Sequence, residues 1–147
     1  MNEFEGIINQ APLGKGRPRA TVRGGHARVY TPSATANWEH FAAQELRAAW
    51  EGKPPFTGVV ECEIVAVFTR TAELLKLSKR HGYKYSTGRI SHTGKPDLDN
   101  IIKATLDAAE KAGVLTDDKQ VSYITAVKVY AALGEETHVE LRIWSTP

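Results

Sequence analysis

The stretch from Lys95 to Val121, KPDLDNIIKATLDAAEKAGVLTDDKQV, constrains this chain more than any other. Leu98, Ile101, Ile102, Thr105, Leu106, Ala109 and Ala112 recur at one apolar stripe of an α-helix, a period of about 3.6 residues. Asp99, Lys103, Asp107 and Lys111 stand four apart on the opposite face. Pro96 suits the first turn of that helix, where a fixed φ helps and a missing N–H costs nothing. Gly113 supplies a left-handed stop. Asp117 and Asp118 follow at once, ahead of a strand-like run. A helix start and a strand start can therefore bring acids from two places to one point.

The rest of the chain frames that helix. Glu3 to Asn9, with Phe4, Ile7 and Ile8, reads as a short strand. Residues 10–32 hold so many Gly and Pro residues that they predict a loop or loose hairpin. Gly14 and Gly16 among basic residues lack the spacing and the Lys-Ser/Thr ending of a phosphate-binding loop. Ser33 is the expected cap of a first helix running to about Trp50, with Trp38, Phe41, Ala42, Leu46 and Ala49 on its inner face. Val59 to Phe68 alternates as a strand and is apolar on both faces near its end, which predicts a central position. Leu74, Leu75 and Leu77 suggest a brief helical turn within a long basic loop that also holds Tyr83 and Tyr85. Residues 121–131 and 138–143 read as two strands of an antiparallel hairpin through Gly134. The expected order is β-α-β-α-β-β: an α+β fold, with a mixed sheet packed on one face by two helices, in a single domain spanning residues 1–147.

Charge matters here by its distribution. Residues 6–38 carry five Lys or Arg and no acid, and residues 70–95 carry seven against Glu73 alone. These stretches hold +11 of a net charge of only +2, so the remainder carries −9. Lys15, Arg17, Arg19 and Arg23 in the first stretch, and Lys76, Lys79, Arg80, Lys84 and Arg89 in the second, are the expected contacts to a phosphate backbone. Tyrosines among them suit stacking on unpaired bases, or equally pinning the loop to the body. Cys62 is the single cysteine, in an apolar strand pattern, so a small buried residue is expected and an intrachain disulfide is excluded. The N-terminus shows neither a basic leader nor a long apolar run, so a reducing cytoplasm without membrane association fits.

Each acid has a dull role available: helix-end complement, surface ion-pair ladder, or turn residue. Together they suggest more. Carboxylates gathered at one point repel unless a cation relieves them. An all-oxygen site with room for water suits Mg²⁺ or Mn²⁺, which can polarise a phosphodiester and activate water. A nearby lysine can neutralise charge developing on the phosphate. Acid cluster plus basic loops is a nuclease pattern.

That run closely resembles the signature of the RusA-type Holliday junction resolvases of bacteria, phages and prophages. The combined DLDN-x-x-K and Gly-x-x-x-Asp-Asp-x-Gln-Val pattern carries the resemblance over about 27 residues, with Lys15 to Arg19 and Tyr30 to Pro32 compatible outside it. The resemblance implies a homodimeric, Mg²⁺-dependent endonuclease that resolves four-way DNA junctions by paired nicks in recombination and repair. It implies Asp97, Asp99 and Asp118 as metal-binding carboxylates and Lys103 as the catalytic lysine. Asn100 and Asp117 become supporting residues, and Asp107 a structural one. Two equivalent nicks on a twofold-symmetric junction call for two equivalent sites, which a C2 dimer supplies; an apolar part of the sheet and the first helix are both candidate interfaces. Two other readings compete: a different Mg²⁺ enzyme using Asp-x-Asp, for which 147 residues offer little room, and a non-catalytic branched-DNA-binding protein with structural acids.

Overall fold

The structure, a computed structural model, describes residues 2–16, 18–30, 32–81 and 87–147, with side chains omitted for 77–81. Arg17, Tyr83, Lys84 and Tyr85 therefore lie outside the described residues, as do the side chains of Lys79 and Arg80. The elements run β1 (Glu3–Ile8), β2 (Arg19–Arg23), β3 (His26–Tyr30), α1 (Ser33–Trp50), β4 (Val60–Phe68), α2 (Ala72–His81), β5 (Ile90–Ser91), α3 (Leu98–Lys111), β6 (Val121–Tyr130) and β7 (His138–Ser145). Five strands make a mixed sheet in the order β1-β7-β4-β6-β5. The expected α+β architecture is present, and β4 takes its central place.

The expected β6–β7 hairpin does not form. β4 lies between the two strands, parallel to β6 and antiparallel to β7. The chain leaves β6, crosses the end of β4 and returns on its other side. Ala131 N–H donates to Phe68 C=O at 2.7 Å, and the Thr137 hydroxyl donates to Val67 C=O at 2.7 Å, so the crossing is tied to β4 itself. The physical reason is burial. Val60, Cys62, Ile64 and Ala66 are buried on one face of β4 and Val67 on the other. Pairing β6 with β7 would have exposed that strand's ladder groups at an edge.

One face of the sheet carries the core. Phe4 and Ile8 of β1, Cys62 and Ile64 of β4, and Val139, Leu141 and Ile143 of β7 pack against Trp38, Ala42, Leu46 and Trp50 of α1 and the alanines of α3. Burial raises the Cys62 thiol to about 11, which keeps it protonated and inert. Two details of α1 differ from the sequence reading. Pro32 occupies the cap position and Ser33 is the first helical residue, without a side-chain cap bond. Phe41 is 54% exposed, and Glu39 faces inward instead, at 4%. A buried glutamate becomes tolerable because two lysines reach it, a circumstance that helical periodicity cannot register.

β2 and β3 form a separate two-stranded arm whose ten residues are all exposed. The turn uses Gly24 and Gly25 at φ 58° and 79°, the left-handed geometry of a tight hairpin. Cross-strand register places Arg19, Thr21 and Arg23 opposite Tyr30, Arg28 and His26. Ala20 and Val22 face Val29 and Ala27 on the other side. Of the loop or loose hairpin expected here, the hairpin forms, as a basic ribbon with one apolar face.

Candidate active site

α3 begins where the sequence puts its first acids. Asp97 is the N-cap residue, and its side chain makes no cap hydrogen bond. Asp99 stands in the first turn. Both are exposed, and neither carboxylate has a hydrogen-bond or ion-pair partner among the described residues. The dull role of helix-capping acid is therefore not the one Asp97 plays. Pro96 sits before the cap, joined to Lys95 by a cis peptide, rather than in the first turn.

At the other end, Gly113 takes φ 77° as expected. Gly113 N–H donates to Glu110 C=O at 3.0 Å and Val114 N–H to Ala109 C=O at 3.0 Å. These paired bonds close the helix in a Schellman motif and reverse the chain. The acids Asp117 and Asp118 then enter a single 3-10 turn, Asp118–Gln120. Asp117 caps it, accepting from Lys119 N–H at 2.9 Å. Gln120 accepts from Thr116 N–H and Asp117 N–H, at 2.8 and 3.1 Å, and donates to Phe56 and Gly58 carbonyls at 2.8 and 3.0 Å. One glutamine side chain thus fastens the acidic turn to the entrance of β4. Asp118 N–H is held in addition by the Glu110 carboxylate.

This turn carries Asp118 alongside α3. Lys103 Nζ lies 2.6 Å from Asp118 Oδ2 and 3.2 Å from Asp107 Oδ1. Hydrogen bonds to these two carboxylates hold the Lys103 ammonium well above the usual lysine range, so it stays charged. Among the described residues, Asp107, Glu110 and Asp118 bring carboxylate oxygens within 4.8 Å of one another, and Asp97 and Asp99 stand outside that group. The spacing follows from helix geometry: eight residues separate Asp99 from Asp107, about 12 Å of rise. Asp118 meets the helix at the level of Asp107 and Glu110, where the Lys103 ammonium reaches it. Within the closer group, Lys103 occupies one oxygen of Asp107 and Lys15 the other, so ammonium groups already supply the positive charge there. The partner-free carboxylates are those of Asp97 and Asp99.

The family model described as Endodeoxyribonuclease RusA matches residues 9–143. The chain belongs to the RusA endodeoxyribonuclease family. It is 28% identical over 148 residues to the Crossover junction endodeoxyribonuclease RusA of Aquifex aeolicus, covering all of this chain and 97% of that protein. It is also 30% identical over 134 residues to the Uncharacterized protein YqaN of Bacillus subtilis, covering 90% of this chain and 89% of that one.

In this RusA-family chain, two residues to which the sequence reading gave no part support the acidic rim. Lys128 of β6 donates to Gly94 C=O at 2.5 Å and Pro96 C=O at 2.8 Å, clamping the segment that leads into Asp97. His92 is buried between the rings of Phe68 and Tyr130, each centroid 4.3 Å away. Its Nδ1 accepts from Gly94 N–H at 3.1 Å, which requires the neutral ring. No local signal marks either residue, because the rings that enclose His92 and the carbonyls that Lys128 reaches come from distant sequence. Burial, with Lys128 adding, holds His92 below its usual pKa of 6.5. The unfolded chain therefore binds this proton first as pH falls. The contribution of His92 to stability is complete above about pH 6.5 and is lost as pH drops through the folded-state value. Urea unfolding from pH 7.5 to 5 should show this decline, and His92→Phe should flatten it; an unchanged slope in the variant would place the titration elsewhere.

The basic residues divide into two groups. Lys15 ends on Asp107 and Glu39, and Arg89 on Glu135 and Glu140 at 2.8 and 2.6 Å. Arg89 in turn pulls Glu135 down to about 2. Arg70, part of the same basic stretch, is buried and donates to the Ala131 and Gly88 carbonyls. Arg19, Arg23 and Arg28 on the arm, and Lys76 on α2, are exposed. Among the described residues no helix is long and apolar enough to cross a membrane.

Proposed function

We propose that this chain, acting as one endonuclease unit per protomer, is a Mg²⁺-dependent homodimeric resolvase that cuts four-way DNA junctions by paired symmetric nicks in the cytoplasm. The observation that carries the reading is the state of the acids at the start of α3. Asp97 declines the capping bond its position offers, and Asp99 stands beside it without a partner. Carboxylates left free are suited to bind a hard cation. Their all-oxygen chemistry fits Mg²⁺, with Mn²⁺ as its substitute. Asp97, Asp99 and Asp118 would hold the ion, and Asp117 and Asn100 support them from the turn and the helix backbone. When bound, Mg²⁺ polarises the scissile phosphodiester and lowers the pKa of an attacking water.

The chain's own groups do the remainder. Lys103, held charged between Asp118 and Asp107, stabilises the charge that builds on the phosphate oxygens. The ribbon's Arg19, Arg23 and Arg28, with Lys76, draw the DNA backbone towards it. Lys79, Arg80, Lys84 and Arg17 extend the same proposal from sequence. The crossover-junction activity printed for the Aquifex relative supports a four-way junction as the substrate. A junction offers two equivalent strands, which a twofold dimer would cut in register.

The test is a labelled synthetic four-way junction incubated with purified protein and Mg²⁺. Symmetric nicks on opposing strands, abolished by a chelator and absent from linear duplex, are the expected result. Tight junction binding without nicks in either Mg²⁺ or Mn²⁺ would instead make the protein a branched-DNA-binding one.

A further inference from the structure

Lys15 and Asp107 were expected to do separate and ordinary things: one to touch DNA, the other to belong to a surface ladder. The structure joins them. Gly14 and Lys15 press against the start of α3. A Cβ on Gly14 would lie 2.7 Å from Pro96 Cβ and 3.3 Å from Asn100 Cβ. Lys15 N–H donates to Asn100 C=O at 3.0 Å, fixing the backbone of Lys15 on the helix. Its ammonium hydrogen-bonds Asp107 Oδ2 and lies 3.5 Å from Glu39 Oε1. Glu39, buried on α1, also takes Lys111 at 2.9 Å through its second oxygen. The result is an alternating row: Asp118, Lys103, Asp107, Lys15, Glu39, Lys111.

We propose that Asp107, held from behind by Lys15 and Glu39, is the positioning residue that aims the Lys103 ammonium. The inference rests on the nuclease reading above for what Lys103 is aimed at. Lys15 takes one oxygen of Asp107 and Lys103 the other, so the carboxylate is bracketed by two ammonium groups and its orientation is fixed from both sides. Lysine is a flexible stem with a compact charge, and leaving it unfixed would spread that charge over many rotamers. Asp118 is also needed as a cation ligand. Asp107 gives Lys103 a second anchor, so the ammonium keeps its place when Asp118 takes that part. The cost of partly burying four such charges argues for a role beyond stability, since apolar replacements of ion networks often fold as well.

The experiment uses the full chain as wild type, Asp107→Asn, Lys15→Met and Lys15→Arg. Three quantities are read: junction Kd without divalent ion, single-turnover nicking rate at saturating protein, and the ¹⁵N-lysine ammonium spectrum of metal-free protein. Asp107→Asn should bind the junction no more weakly than wild type and nick it about 10- to 100-fold more slowly, the scale expected when a reacting group is misplaced. Lys15→Arg should retain more of the rate than Lys15→Met. The hydrogen-bonded Lys103 ammonium signal should weaken or move in Asp107→Asn. Nicking within about twofold of wild type, equal rates for the two Lys15 variants, or an unmoved Lys103 signal would each overturn the proposal. If wild type itself does not nick, the functional reading has failed, and the ammonium spectrum alone decides whether Asp107 fixes Lys103.

Discussion

Asp99→Asn should abolish junction nicking while leaving junction binding intact. Asp99 is exposed in the first turn of α3, with no partner among the described residues, so the substitution breaks no contact and should leave Tm unchanged within a degree or so. Asparagine keeps the shape and one oxygen but removes the charge that attracts a hard cation. Loss of a proposed metal ligand should lower the nicking rate by about 10³-fold or more, since in the proposed function both cation binding and water activation depend on it. Removing a negative charge beside DNA should also tighten binding slightly, most visibly at low salt. Gel-resolved nicking at saturating protein, paired with a binding curve in Ca²⁺ or without divalent ion, measures both halves. A variant that still nicks within tenfold of wild type would remove Asp99 from the ligand set. A variant that loses binding and nicking together would point to a structural role.

Ile64→Ala should be the most destabilising of the simple core truncations. Ile64 is fully buried at the middle of the central strand, paired with Leu141 on β7 and Ala126 on β6, and belongs to the core under α1 and α3. Truncation removes apolar burial and leaves a cavity that strands bonded on both sides cannot collapse into, at a cost of about 3–4 kcal/mol. For a chain of this size that corresponds to a fall in Tm of roughly 10 °C. Thr125→Ala, on the opposite and exposed side of β6, should change stability by no more than about 0.5 kcal/mol. Urea unfolding of the two variants at pH 7.5 is the measurement. Equal effects would mean that the sheet's two faces differ less than their burial says. Because β4 also receives the Gln120 bonds near its entrance, Ile64→Ala should lower activity only as far as the folded fraction falls.

Local chemistry made much of this protein readable from its residues. The α3 stripe is buried at Ile101, Thr105, Leu106 and Ala109, as its spacing demands. Gly113 stops the helix because a left-handed residue is needed there, and Cys62 is buried because it alternates with Glu61 and Glu63. The resemblance singled out the Asp-x-Asp, Lys and Asp-Asp positions; the helix period and the turn after it say where they stand along α3 and its exit. Pattern failed where a residue's partner is far away in sequence. Phe41 kept the helical spacing yet lies outward, while Glu39 is drawn in by Lys15 and Lys111. Arg89 counted as free positive charge until Glu135 and Glu140 met it, 46 and 51 residues along.

The sequence by itself determined the α+β class, the apolar stripe and glycine stop of α3 and the central placing of β4, because periodicity, capping and turn chemistry act over a few residues. Only the tertiary structure decided that β4 separates β6 from β7, that Lys15 and Arg89 pair with acids of the chain itself, and that Lys128 and His92 hold the approach to Asp97. Strand order and ion pairing are settled by which distant groups must leave water together, and no local pattern encodes that choice.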